Sequence, residues 1–98
     1  AYLLSMFRVA NVMRTPDDAR AAPEDRVWEA IEEGVWVEPN ATLETALPLF
    51  EETRRQFLPV VTVGEEGEAP VIHGTLFHVD ALRAYNKALA ATAAEEHG

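Results

Sequence analysis

The chain contains no cysteine, which removes disulfide frameworks, thiolate nucleophiles, iron–sulfur ligation and cysteine-containing zinc sites from consideration. Such a composition is compatible with a reducing cytosol. Serine is nearly absent too: Ser5 is the single one, and no Ser-His partner set, nucleophile elbow or phosphate-cradling glycine loop can be assembled from what remains. Basic side chains are scarce. Eight Lys and Arg stand against 17 Asp and Glu, a net charge of −9 at pH 7, and the adjacent pair Arg54-Arg55 follows Glu51-Glu52. A nucleic-acid binder neutralises phosphates with clustered cations, so nucleic acid is not an expected partner. Long apolar runs are also missing, because the leading AYLLSMF is broken by Arg8. A bilayer crossing needs about 18 consecutive apolar residues, and this fragment is not expected to span a membrane.

What is present is a 98-residue chain with 48% hydrophobic residues, enough for one small folded domain. At that size a single core leaves little net stability, which makes a partner surface expected. The absence of an initiator Met and the abrupt apolar start suggest a piece of something longer. Paired glutamates, Glu32-Glu33, Glu51-Glu52 and Glu65-Glu66, fall in helical or turn contexts that face water, with no sign of a cleft or of divergent pKa values, so an enzyme is not expected. His73, His78 and Asp80 are ordinary metal-ligand types. Five positions separate the two histidines, opposite faces if the strand persists, and no metal site is expected. Trp28 and Trp36 bracket Gly34 and read as core or interface anchors.

Periodicity then divides the chain. Residues 1–13 suggest a helical turn or two, and 14–22 read as loop. Pro23, Glu24 and Asp25 mark a helix start, Val27, Trp28 and Ile31 form its apolar face, and Gly34 stops it, giving a helix over about 23–33. Val35–Val37 reads as a short strand ended by Glu38-Pro39. Thr42 is placed to cap a helix whose buried face is Leu43, Ala46, Leu47 and Phe50, with a bend expected at Pro48. Phe57–Val63 and Val71–Phe77 are nearly continuous apolar strands, joined by GEEGEAP into an antiparallel hairpin. A last helix is expected to bury Val79, Leu82, Tyr85 and Leu89 before fading into a helix-forming tail. Strands this apolar need cover on both faces. Two helices supply one face; the N-terminal segment or a second copy of the chain must supply the other.

Three short motifs occur in order: Thr42-Leu43-Glu44-Thr45-Ala46-Leu47, then Phe57-Leu58-Pro59-Val60-Val61, then Gly74-Thr75-Leu76-Phe77-His78-Val79-Asp80. Together with the β-α-β-β-α order they resemble a CBS domain, over a little more than half the chain. Val9-Ala10-Asn11-Val12-Met13-Arg14 is similar to the Val-x-Asp-Val-Met lead-in of such modules. The resemblance implies an α/β fold, a CBS-type β-α-β-β-α unit with a small mixed sheet and helices on one face. Residues 1–34 would be an N-terminal extension, 35–90 the domain and 91–98 a C-terminal tail.

It also implies a non-catalytic regulatory role, in which two chains form a homodimer through the open sheet face and need no cofactor. The adenosine-nucleotide cleft, for AMP, ADP or ATP, would use Asp80 on the ribose and backbone at Leu58, Pro59 and Val60 around the adenine. Phe77 stands where the family has a phosphate-binding Thr or Ser, and a phenyl ring offers no hydrogen bond, so adenosine or a monophosphate suits the cleft better than a triphosphate. The apolar start followed by the lead-in is similar to the cytosolic C-terminal region of bacterial ClC-type chloride channels, implying an attached transport domain and a cytoplasmic location. The alternative is a ligand-free structural dimerisation module.

Overall fold

The computed structural model describes residues 2–97, and side chains within 4–92. A four-residue helix α1 (Tyr2–Ser5) and a 3-10 turn (Val9–Asn11) lead into a loop. Helix α2 (Glu24–Glu32) follows, with the amides of Arg26 and Val27 donating to the Pro23 carbonyl, both at 3.1 Å. Gly34, at φ +79°, closes it in a Schellman cap: its N–H donates to the Ile31 carbonyl (3.0 Å) and that of Val35 to Ala30 (2.9 Å). Helix α3 (Leu43–Thr53) runs unbroken through Pro48. Thr42 occupies its N-cap position but makes no side-chain cap bond; the Leu43 N–H donates to the Phe7 carbonyl at 3.0 Å instead. The leading segment is thus the cap. Arg54 ends α3 at φ 57°, a left-handed position that costs a non-glycine residue roughly 1–2 kcal/mol.

Strands β1 (Phe57–Thr62) and β2 (Val71–Phe77) form a two-stranded antiparallel sheet. Phe57 pairs with Phe77 and Val60 with Gly74, after which the register slips so that Val61 faces Ile72. His73 is the extra residue of this bulge, and its Nε2 lies 2.7 Å from the Thr62 hydroxyl. The strand expected at Val35–Val37 contracts to one residue. Val37 bridges Val60 in parallel, donating to the Pro59 carbonyl and accepting from the Val61 N–H, both at 2.9 Å. On the other edge, Arg14 makes an antiparallel bridge to Thr75.

Strand β2 passes directly into helix α4 (His78–His97). Residues 91–97, expected as a tail, continue this helix, while Gly98 and the His97 side chain lie outside the described residues.

Pleating sends Leu58, Val60 and Leu76 to one face, where they meet Leu43, Ala46 and Phe50 of α3, Ala81 of α4, Val37 and Val9. Pro59, Val61 and Thr75 point the other way and are equally buried, against α2 with its buried Val27 and Ala30. The sheet face expected to await a second subunit is therefore covered by the chain's own α2, and the helices lie on both faces rather than one. Leading residues share this core: Val9 is fully buried, Leu4, Phe7, Val12 and Met13 pack against it, and the Val9 amide donates to the Ala41 carbonyl at 2.8 Å.

The orientation of α4 also differs from expectation. Val79, Leu82 and Leu89 are 50%, 40% and 41% exposed, while Ala81 is buried and Ala84 packs on the core. Helix and sheet join without a linker, and the side of α4 turned to the core carries the small side chains of Ala81 and Ala84. Phe50 fills the centre of the core, so Phe50→Ala is expected to cost about 3–5 kcal/mol in urea unfolding, and Ala81→Leu about 1–3 kcal/mol by overpacking.

Candidate functional site

Arg14 is held against β2 by two backbone bonds, its N–H donating to the Thr75 carbonyl (2.8 Å) and its carbonyl accepting from the Thr75 N–H (2.9 Å). Gly74 makes this approach feasible: a Cβ there would overlap the Arg14 carbonyl oxygen and stand 3.2 Å from the Met13 sulfur. Three residues past Phe77, Asp80 falls in the first turn of α4. The Arg14 side chain reaches it across 66 positions of sequence, with Nε donating to Oδ2 at 2.7 Å and Nη2 to Oδ1 at 3.2 Å. Its remaining edge donates from Nη1 to the Arg20 carbonyl at 2.8 Å. Below, Cζ lies 3.9 Å from the centre of the Phe77 ring, and Phe57 tilts against Phe77 at 5.7 Å. The two charged side chains are 15% and 19% exposed, a largely enclosed two-point fork.

Of the expected site residues, Asp80 and Phe77 are brought together, and Arg14 lies between them. Leu58 and Val60 send their side chains into the α3–α4 core, and the Pro59 carbonyl is engaged by Val37. These three residues are buried with β2 on one edge and Val37 on the other. Arg14 is the residue that the sequence reading missed. Its place directly after the Val-Met lead-in was the available signal, but nothing in the spacing links it to Asp80. The site joins unlike charges, an aromatic floor and a neutral carbonyl; it is a recognition geometry for a guanidinium, filled by the chain itself.

The Arg14 hydrogen bond holds the Asp80 carboxyl below the usual carboxylate range, opposed by its partial burial and assisted by the charges of Arg14, Arg83 and Arg20. The same bond raises the Arg14 pKa. The 14–22 loop, α2 and β2 line a half-open cleft of about 350 Å³ that includes Pro16, Ala21, Glu24, Val27, Ile72 and Thr75. The buried Thr75 hydroxyl has no hydrogen-bond partner.

His73 and His78 are occupied separately, His73 with Thr62 and His78 stacked on Phe50 at 4.6 Å. Among the described residues, no group of three or more His, Cys, Asp or Glu could hold a metal ion, and no helix is long and apolar enough to cross a membrane. No family model matches the chain, and neither a curated protein nor a solved structure matches it significantly.

Two outcomes are expected of this geometry. Gly74→Ala should push Arg14 off the sheet, costing about 1–3 kcal/mol and releasing the Arg14 and Thr75 amides to faster hydrogen exchange. Because the folded pKa of Asp80 is depressed, its stabilisation is complete above the unfolded value of about 3.9 and disappears as pH falls through the folded value. The stability gap between wild type and Asp80→Asn should therefore close as pH falls below about 3.9. A gap that stays constant would show that the carboxylate charge contributes nothing.

Proposed function

We propose that the chain is a non-catalytic regulatory module of the CBS type, carried in the cytosolic part of a larger chloride-channel or other transport protein. The supporting observation is the order of pairing. A residue before α3, Val37, runs parallel to β1; β1 pairs antiparallel with β2; and Asp80 lies in the first turn of the helix that follows. With a single bridging residue where the first strand was expected, this order is compatible with the β-α-β-β-α succession that the three sequence motifs imply.

Regulation in this reading is a differential free energy. A ligand or neighbouring subunit that favours one packing of the module shifts the attached domain by as much as it discriminates between the two packings, and no more. An adenosine nucleotide approaching Asp80 meets Arg14 already there, so its ribose must compete with a charge-assisted fork. That observation favours a second reading, a ligand-free assembly module in which Asp80 serves structure. Since α2 covers the inner sheet face, an assembly contact in either reading lies elsewhere.

Thermal unfolding with AMP, ADP, ATP and S-adenosylmethionine separates the two. A regulatory nucleotide present at 100 times its Kd stabilises the folded chain by about 2.7 kcal/mol. For a domain of this size that is a Tm rise of about 10 °C or more. The rise should be absent in Asp80→Ala and larger in Arg14→Gln. No rise at millimolar ligand in either wild type or Arg14→Gln leaves the ligand-free module standing.

A further inference from the structure

Among the described residues, the Thr75 hydroxyl is the buried side-chain group left without a hydrogen bond, and Thr75 is only 3% exposed. Its N–H and carbonyl are both spent on Arg14, so the hydroxyl adds nothing to that bridge. A buried hydroxyl with no partner carries its desolvation cost uncompensated, whereas a valine of the same shape would not. The fold gains nothing from having threonine here. Thr75 pairs with Pro59, and the two point to the face of the sheet that α2 covers. The half-open cleft between the 14–22 loop, α2 and β2 lies on that same face, and Thr75 forms part of its wall.

This cleft has the make-up of a small-molecule site. Such sites are apolar concavities of about 300–1,000 Å³ with a few polar groups that fix orientation, and this one is about 350 Å³. Pro16, Ala21, Val27 and Ile72 give apolar walls, Thr75 gives one hydrogen-bonding group, and Glu24 gives a carboxylate. Glu24 is exposed in the first turn of α2, and none of the described ion pairs includes it. No Lys or Arg lines the cleft, so an anion would meet Glu24 with nothing to offset the repulsion, in a chain of net charge −9. A cation meets the opposite situation. The apolar walls in turn select against a fully hydrated ion, which would lose its water there without replacement.

We propose that this cleft binds a small amphipathic cation: a compound with a compact apolar or aromatic body, an ammonium group that pairs with Glu24, and a hydroxyl or similar group that completes the hydrogen bonding of Thr75. Asp80, Phe77 and Arg14 are not among its lining residues, so the site is separate from the fork and stands whether or not a nucleotide competes for Asp80.

Tyramine is the probe, with a phenolic hydroxyl at one end and an ammonium at the other; phenethylamine lacks the hydroxyl and para-ethylphenol lacks the ammonium. In an amide NMR titration of the isotope-labelled chain, tyramine should give saturable shifts centred on Glu24, Val27, Ile72 and Thr75. Both analogues should bind at least about tenfold more weakly, because each leaves one polar group of the cleft unpaired. Thr75→Val should melt no lower than wild type and should bind tyramine no better than phenethylamine. Glu24→Gln should erase the preference for tyramine over para-ethylphenol with its circular dichroism unchanged. The proposal is overturned by a folded wild-type chain that shows no saturable shift at millimolar tyramine, by shifts centred away from the cleft, or by variants that keep the wild-type preferences. A Thr75→Val chain that melts lower would show the hydroxyl to be satisfied within the fold, and would overturn it as well.

Discussion

A two-stranded hairpin is at best marginally stable in water by itself, and the whole molecule is arranged around covering one. Strand β1 is buried through Leu58, Pro59, Val60 and Val61, so both of its faces need apolar cover. Helices α3 and α4 supply it on one side, and α2 on the other. Both strand edges need hydrogen-bond partners too. Val37 supplies one for β1 and Arg14 one for β2, each through a bridge a single residue long. The economy of this sheet explains why the leading residues are indispensable: Val9 completes the core, Phe7 caps α3 through its carbonyl, and Arg14 closes an edge. Removing any of them exposes backbone or apolar surface that nothing else in a chain of this size can cover.

Arg14 links the backbone and electrostatic parts of this arrangement. Its main chain needs Gly74 to lie close to β2, and its side chain needs Asp80, Phe77 and the Arg20 carbonyl to satisfy a guanidinium that is mostly out of water. Phe77 looks like a lost polar anchor when the residues are compared with a nucleotide-binding pattern, yet in place it is the floor on which the guanidinium rests. A ring that would make a poor phosphate contact thus makes a good internal one. The regulatory and the purely structural readings therefore compete over one carboxylate.

Much of the fold was legible because its signals are local. The hairpin followed from two apolar runs around an acidic glycine-containing turn, α2 from Pro23 and Gly34, and α3 from Leu43, Ala46 and Phe50. Legibility failed where two local patterns coexist or where partners are distant. On α4 the residues 79, 82 and 89 and the residues 81 and 84 both have helical spacing, and bulk favours the first set for burial, whereas the helix leaves β2 with the second set turned to the core. At Val35–Val37 three apolar residues resemble a strand, but Gly34 in a helix cap on one side and Pro39 on the other leave room for a single bridge. Asp80 was identifiable as special; its partner was not, because nothing local relates residues 66 positions apart.

The bridge between Arg14 and Thr75 has a mechanical meaning. Its two backbone bonds and the guanidinium fork tie the leading residues to β2 and to the first turn of α4. Tension applied at the N-terminal side would load these bonds. Displacement of the leading segment would then be felt at α4 before the sheet gave way, making that short contact a rigid coupling between one end of the chain and its longest helix.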